Sequence, residues 1–166
     1  MTTDYGKLLT TSTIDKWNEI QGERSFNRDW SELPTIKGLD LTDRNLEGYN
    51  LSNFHFFGVN FSGSSLFQCS MNSNFTSCIF EKVNLENTYH DDNTFRLCLF
   101  DDCPFDSSKF NRTSISLCHI LNSTFLDLNT YLFMISNTII VNTEIDLEYI
   151  TQLKNVTILT HNTTEF

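Results

Sequence analysis

Residues 96–115 read RLCLFDDCPFDSSKFNRTSI. Cys98 and Cys103 bracket Asp101 and Asp102, an arrangement that suggests a metal or redox site. The spacing of the large side chains points elsewhere. Phe100, Phe105, Phe110 and Ile115 stand five apart. The interval extends back through Phe95, His90, Leu85, Phe80 and Phe75, and forward through Ile120, Phe125, Thr130, Ile135, Ile140, Ile145 and Ile150. Upstream it runs through Leu41, Leu46, Leu51, Phe56, Phe61, Leu66 and Met71, and one four-residue step joins Met71 to Phe75. Of these 23 beats, 21 carry a large apolar side chain; His90 and Thr130 are the exceptions.

Period five matches neither a helix nor a flat strand, because each would scatter the set over more than one face. A chain that turns a corner every five residues points every beat inward. Fifteen of the 23 beats have Ser, Thr, Cys or Val two positions earlier, the small partner that a narrow tube requires. All five cysteines, Cys69, Cys78, Cys98, Cys103 and Cys118, hold that position. They read as fillers of a packed lumen, together with Phe56, Phe61, Phe75, Phe80, Phe95, Phe100, Phe105, Phe110 and Phe125. Cys78, Cys98 and Cys118 are twenty apart and are predicted to stack in one column at the spacing of neighbouring strands, about 4.8 Å. Parallel inward side chains hold their Cβ atoms too far apart for a disulfide, and a filled lumen has no room for four converging zinc ligands. Asp101 and Asp102 follow a beat and so face outward. No catalytic, cofactor-binding or metal-binding residue is assigned.

The stretch DLTDRNLEGYNLSN, residues 40–53, shows the pattern most openly. It resembles the pentapeptide-repeat family, whose consensus is roughly A-(D/N)-L-x-x. The resemblance covers residues 39–150. It implies an all-β fold, a right-handed quadrilateral parallel β-helix of about five to six coils with four repeats per coil and a short N-terminal helical cap. Residues 1–38 are then the cap segment and 151–166 a C-terminal cap or tail. The four-residue step, His90 and Thr130 predict irregular backbone near 72–75, 88–93 and 128–133. Within 88–93 the run YHDDN, residues 89–93, reads as a loop rather than a metal cluster, since adjacent residues seldom converge on one ion.

In the cap segment, Ser12 and Asp15 form a loose capping box for a short helix, with Leu8, Leu9, Ile14 and Trp17 on its apolar side. Such a helix would plug an end that otherwise exposes unpaired backbone. At the other end, Leu153, Val156, Ile158 and Leu159 are expected to seal the last coil or to join two copies; the resemblance implies homodimers through the ends. An odd number of cysteines and a start without a long apolar stretch imply reduced thiols in the cytoplasm.

Net charge is −10, and residues 39–150 hold fourteen acids against five bases. That argues against direct binding to nucleic acid or to an anionic membrane. With four repeats per coil, one column of outward positions contains Glu47, Phe67, Glu86, Asp106, Leu126 and Asp146, with Asp127 beside it. The adjoining face adds Glu81, Asp101 and Asp102. These carboxylates are the candidate binding surface of a non-enzymatic acidic module whose partner offers a basic groove. The resemblance implies the most concrete form, a DNA-mimicking modulator or protector of a type II topoisomerase such as DNA gyrase. The alternative is a protein-interaction scaffold acting through exposed faces, with Phe57, Phe67, Leu126 and Tyr131 as its apolar contacts.

Overall fold

A computed structural model describes residues 3–26 and 33–160. Between Thr35 and Leu159 the chain is a parallel β-solenoid with four sides to the coil. On the first face Ile36, Phe56, Phe75, Phe95, Ile115, Ile135 and Leu153 sit in successive register. On the second, Phe80, Phe100, Ile120, Ile140 and Ile158 do the same, and the bridges Asp40–Asn60–Ile79 carry that face back to the first coil. The third face is held by bridges from Asn45 to Ser65 to Asn84 and from Pro104 to Thr124, and by Phe125 against Ile145. The fourth pairs Asn50, Ser70 and Tyr89, then His90, Phe110 and Thr130. Parallel pairing thus extends beyond both ends of the 39–150 beat range.

Each corner is made by one residue. The second residue after a beat has a positive φ, as at Asp43, Gln68, Lys82, Asp102 and Asn122, or is a glycine such as Gly48 or Gly63. This left-handed step reverses the pleat, so the next beat points inward again. Asn, Asp and Gly tolerate it best. At Gly63 φ is +71°, and an added Cβ would also have to displace the Asp43 carboxylate of the preceding coil.

The inward beats form ladders of rings. Phe56, Phe75 and Phe95 stack at centroid separations of 4.9 and 4.9 Å. Phe61, Phe80 and Phe100 stack at 4.9 and 4.8 Å. The two ladders meet edge to face, Phe75 on Phe80 at 5.9 Å and 66°, which suits the ring quadrupole. All five cysteines are buried and free. Their thiols hydrogen-bond to backbone carbonyls of the preceding coil, as Cys69 to Leu46 and Cys103 to Phe80. Burial pushes the Cys69 and Cys103 thiols up to about 12, so they are inert at neutral pH.

Of the three predicted irregularities, those near 88–93 and 128–133 are regular strands, and the one at 72–75 is a shortened corner. The four-residue step falls between Met71 and Phe75, where the left-handed corner residue is absent while Phe56 still pairs with Phe75. Ser73 closes this shortened corner by accepting from the Phe54 N–H and donating to the Leu51 carbonyl. Thr130 is half-buried on its strand, and the missing volume is supplied by Phe133, at a small-residue position, stacked on Phe110 at 4.5 Å. Tyr89–Asp91 is a strand, not a loop. His90 lies in the lumen, 1% exposed, stacked on Phe110 at 4.3 Å. Its Nε2 bonds the Thr88 hydroxyl at 2.7 Å, and its Nδ1 accepts from the Asn93 amide at 2.9 Å. Asp91 and Asp92 instead hold Arg112. A polar trio inside the tube, His90 with Thr88 and Asn93, thus replaces the phenyl ring that the ladder otherwise uses.

The N-terminal cap consists of helices α1 (Tyr5–Thr11) and α2 (Ile14–Phe26). The cap of α2 is Thr13, whose hydroxyl accepts from the Lys16 N–H, rather than Ser12. Trp17 is fully buried and stacks on Phe54 at 5.7 Å. Its Nε1 donates to the Asn50 carbonyl at 2.7 Å, while Asn18 accepts from Asn50 N–H and donates to the Gly48 carbonyl. Helix α2 therefore satisfies backbone groups that the first coil cannot pair. At the far end, a 3-10 turn at Leu147–Tyr149 shortens the fourth side. Leu153 and Ile158 then take up lumen positions of the last coil and remain 41% and 39% exposed.

Two outcomes follow from this packing. Truncating Trp17→Ala removes the ring that covers the first coil, and its unfolding free energy in urea is expected to fall by about 3–5 kcal/mol; a loss of a few tenths would contradict the capping role. His90 is held neutral, its pKa lowered by burial from 6.5 to about 3. Its stabilising contribution is complete above the unfolded value and is lost as pH falls below it. Between pH 7.5 and 5.5 the chain is expected to lose about 1.4 kcal/mol that a His90→Phe variant retains. Parallel pH profiles for the two proteins would contradict this.

Candidate functional site

Because the lumen is filled, the chemistry available to a partner lies on the four outer faces. The observed register puts Glu47, Glu86, Asp106 and Asp146 on the third face, each one residue after a beat. Asp127 stands at the corner beyond it, with φ 51°. Glu81 and Asp101 flank beats of the second face in consecutive coils, directly in register, and Asp102 is the next corner residue, with φ 55°. All eight predicted carboxylates are on the outside of two adjoining faces, exposed or half-buried.

Several are held rather than loose. Asp106 accepts the Leu126 N–H at 2.9 Å, and Asp146 accepts the Glu148 N–H at 3.0 Å. Glu47 accepts from the Ser65 hydroxyl at 2.9 Å, and Asp101 from the Asn122 amide at 2.8 Å. These bonds orient the carboxylates without neutralising them. Among the described residues none of the eight joins an ion pair. The ion pairs present are Lys16–Glu19 in the cap and Arg112 with Asp91 and Asp92 on the fourth face. Of the other bases, Lys109 sits 5.0 Å over the Tyr89 ring on the fourth face, and Lys37 5.5 Å over Phe57 on the first. Arg96 also lies on the first face. Lys82 and Arg44 are the bases along the edge shared by the two acidic faces. Nearby, the Thr42 hydroxyl and N–H hold Asp40 below the usual carboxylate range.

The acids come in bands rather than a continuous stripe. One band is Asp40, Asp43 and Glu47, a second is Glu81 and Glu86, a third is Asp101, Asp102 and Asp106, and a fourth is Asp127, Glu144 and Asp146. The coil of Phe61 and Leu66 carries Ser62, Gly63, Phe67 and Gln68 at these outward positions and interrupts the series.

The four apolar residues expected of a scaffold do not come together. Phe57 is on the first face and Tyr131 on the fourth, while Phe67 and Leu126 are on the third, half-buried and several coils apart. Contiguous apolar surface lies instead on the second face, around Leu97, Leu99, Leu117 and Ile139. Leu97 and Leu117 are corner residues twenty apart, and that separation is the signal in the sequence that identifies their column.

No family model matches the chain, and no curated relative does. Solved structures that match include a trypsin-treated form of QnrB1, a plasmid-mediated fluoroquinolone resistance protein, at 13% identity over 79% of this chain and 86% of that one, with a TM-score of 0.44. Rfr23, a pentapeptide repeat protein of the cyanobacterium Cyanothece 51142, matches at 10% identity over 63% of this chain and 86% of that one, with a TM-score of 0.32. HetL, a pentapeptide repeat protein involved in heterocyst differentiation regulation in the cyanobacterium Nostoc sp. strain PCC 7120, matches at 9% identity, 84% and 78% coverage and a TM-score of 0.24. Five-residue sides, four to a coil and paired in parallel through consecutive coils, make this chain a four-sided parallel β-solenoid.

Proposed function

We propose that the chain is a non-enzymatic acidic binding module, and that its second and third faces engage the basic groove of a protein that otherwise holds DNA, with a type II topoisomerase such as DNA gyrase as the concrete target. The observation that carries this reading is the set of eight outward carboxylates on two adjoining faces, none of them in an ion pair among the described residues. Stacked like charges destabilise a sheet, and hydrogen bonds that fix their direction without cancelling charge suit recognition. The solenoid is also rigid, so the carboxylates need no ordering on binding.

Charge density sets the strength. Nearly six coils at strand spacing span about 27 Å. The nine net charges of residues 39–150 then give about one per 3 Å, against one per about 1.7 Å in duplex DNA. The module is a dilute mimic, suited to long-range steering into a groove more than to displacing tightly held DNA.

In a supercoiling assay with and without a quinolone, micromolar protein is expected to alter gyrase activity or its sensitivity to the drug. The effect should weaken by about tenfold or more when salt rises from about 50 to 200 mM. A variant carrying Glu86→Gln, Asp101→Asn, Asp102→Asn and Asp106→Asn keeps the accepting oxygens and loses four charges; it is expected to be inactive at the same concentration. No effect of the unmodified protein, or full activity of the neutralised one, would remove this reading.

A further inference from the structure

The second face changes character along its length. Its early coils carry Glu81, Asp101 and Asp102. After Asp101 the position following each beat turns apolar, at Leu121, Val141 and Leu159, while the corner before the beat holds Leu97 and Leu117 and the position just before it holds Ile79, Leu99 and Ile139. Leu97 is 48% exposed, Leu117 43%, Ile139 40% and Leu159 53%, with half-buried Leu99, Leu121 and Val141 between them. Leu97, Leu99, Leu117 and His119, with Cys98 at the floor, line a shallow hollow of about 280 Å³.

Three leucines hold left-handed corners, Leu132 beyond the fourth face and Leu97 and Leu117 here, and the two on this face are badly placed for folding alone. Both have positive φ, 56° at Leu97 and 55° at Leu117, where most other corners use Asn, Asp, Ser or Gly. A bulky side chain in this region costs roughly 1–2 kcal/mol, and these two gain little burial in return. Strain retained next to exposed apolar surface is a mark of a surface selected for contact.

We propose that this face docks an amphipathic basic helix of a partner protein. Apolar residues on successive turns of such a helix lie about 5.4 Å apart along its axis, close to the coil spacing of about 4.8 Å. One of them fills the hollow between Leu97 and Leu117, and the next ones follow Leu121, Ile139 and Val141. Lysines or arginines at one end of the helix meet Asp101, Asp102 and Glu81, which have no ion-pair partner among the described residues. Charge fixes the direction of the helix and excludes an acidic or uncharged one. Arg96, beside Leu97 on the first face, keeps the basic end of the helix to the carboxylate side. The proposal shares Glu81, Asp101 and Asp102 with the DNA-mimic reading, but it rests on leucines that reading leaves unused, so the leucine variant separates the two.

The test is fluorescence anisotropy of the full chain with a labelled peptide of about 18 residues, with leucines at helical i, i+3, i+4 and i+7 spacing and lysines elsewhere. A peptide of the same composition in scrambled order is the control. The informative variant is Leu97→Asn with Leu117→Asn, because Asn tolerates the left-handed corner and the fold is kept. The patterned peptide is expected to bind at micromolar concentration and at least about tenfold tighter than the scrambled one. The double variant is expected to lose about tenfold or more in affinity while its melting temperature stays equal or rises. Asp101→Asn with Asp102→Asn is expected to weaken binding and flatten its salt dependence. Equal binding of the two peptides, or unchanged affinity in the leucine variant, would overturn the proposal. So would self-association that the leucine variant abolishes, which would assign the face to a second copy of the chain.

Discussion

The structure depends on a coincidence of two lengths. Parallel strands hydrogen-bond at about 4.7–4.9 Å, and the phenyl rings of Phe61, Phe80 and Phe100 stack at 4.9 and 4.8 Å. One translation therefore satisfies the backbone and the core together. Each coil buries its rings against the coil before it and presents an identical surface to the coil after it. A ladder of this kind has no internal reason to stop, so its ends need separate solutions. At the start, Trp17 covers Phe54 while Asn18 takes up the backbone of Gly48 and Asn50. At the other end, Leu153 and Ile158 continue the lumen positions into a coil with one exposed side.

The same constraint explains which substitutions the lumen accepts. His90 can replace a phenyl ring because imidazole is flat and stacks on Phe110, and because Thr88 and Asn93 satisfy both nitrogens. Thr130 can replace one because Phe133 supplies a ring from the small-residue column of the same coil. The tube requires a certain volume per coil and polar groups that are paired, and it is indifferent to which inward position contributes them.

This indifference also sets the limit of what could be read in advance. The beat from Leu41 to Ile150, the inward cysteines and the outward carboxylates were all legible, because each depends only on position within five residues. In sequence His90 reads as a loop, because a polar beat looks like a break until Thr88 and Asn93 are seen around it. Ile36 stands five before Leu41 and continues the beat upstream, whereas Leu153 and Ile158 lie beyond a change of interval: a 3-10 turn at Leu147–Tyr149 brings Leu153 into register eighteen residues after Ile135 rather than twenty. The apolar half of the second face was hidden for a different reason. Leu97 and Leu117 occupy corners, where leucine is the wrong residue for the backbone, so a reading based on turn preference passes over them. Each face thus has its own chemistry on one common frame: basic and polar on the first, acidic then apolar on the second, acidic on the third, aromatic with an Arg112 ion-pair cluster on the fourth.

The claim beneath all of this is that the beat residues and their small partners share one dry interior, and the five thiols report on it directly. Treated with a water-soluble aromatic disulfide in native buffer, Cys69, Cys78, Cys98, Cys103 and Cys118 should all stay protected and react together, at the rate and with the urea dependence of global unfolding. Reaction of even one of them at the rate of a free thiol, without denaturant, would contradict the shared lumen and the arrangement of faces built on it.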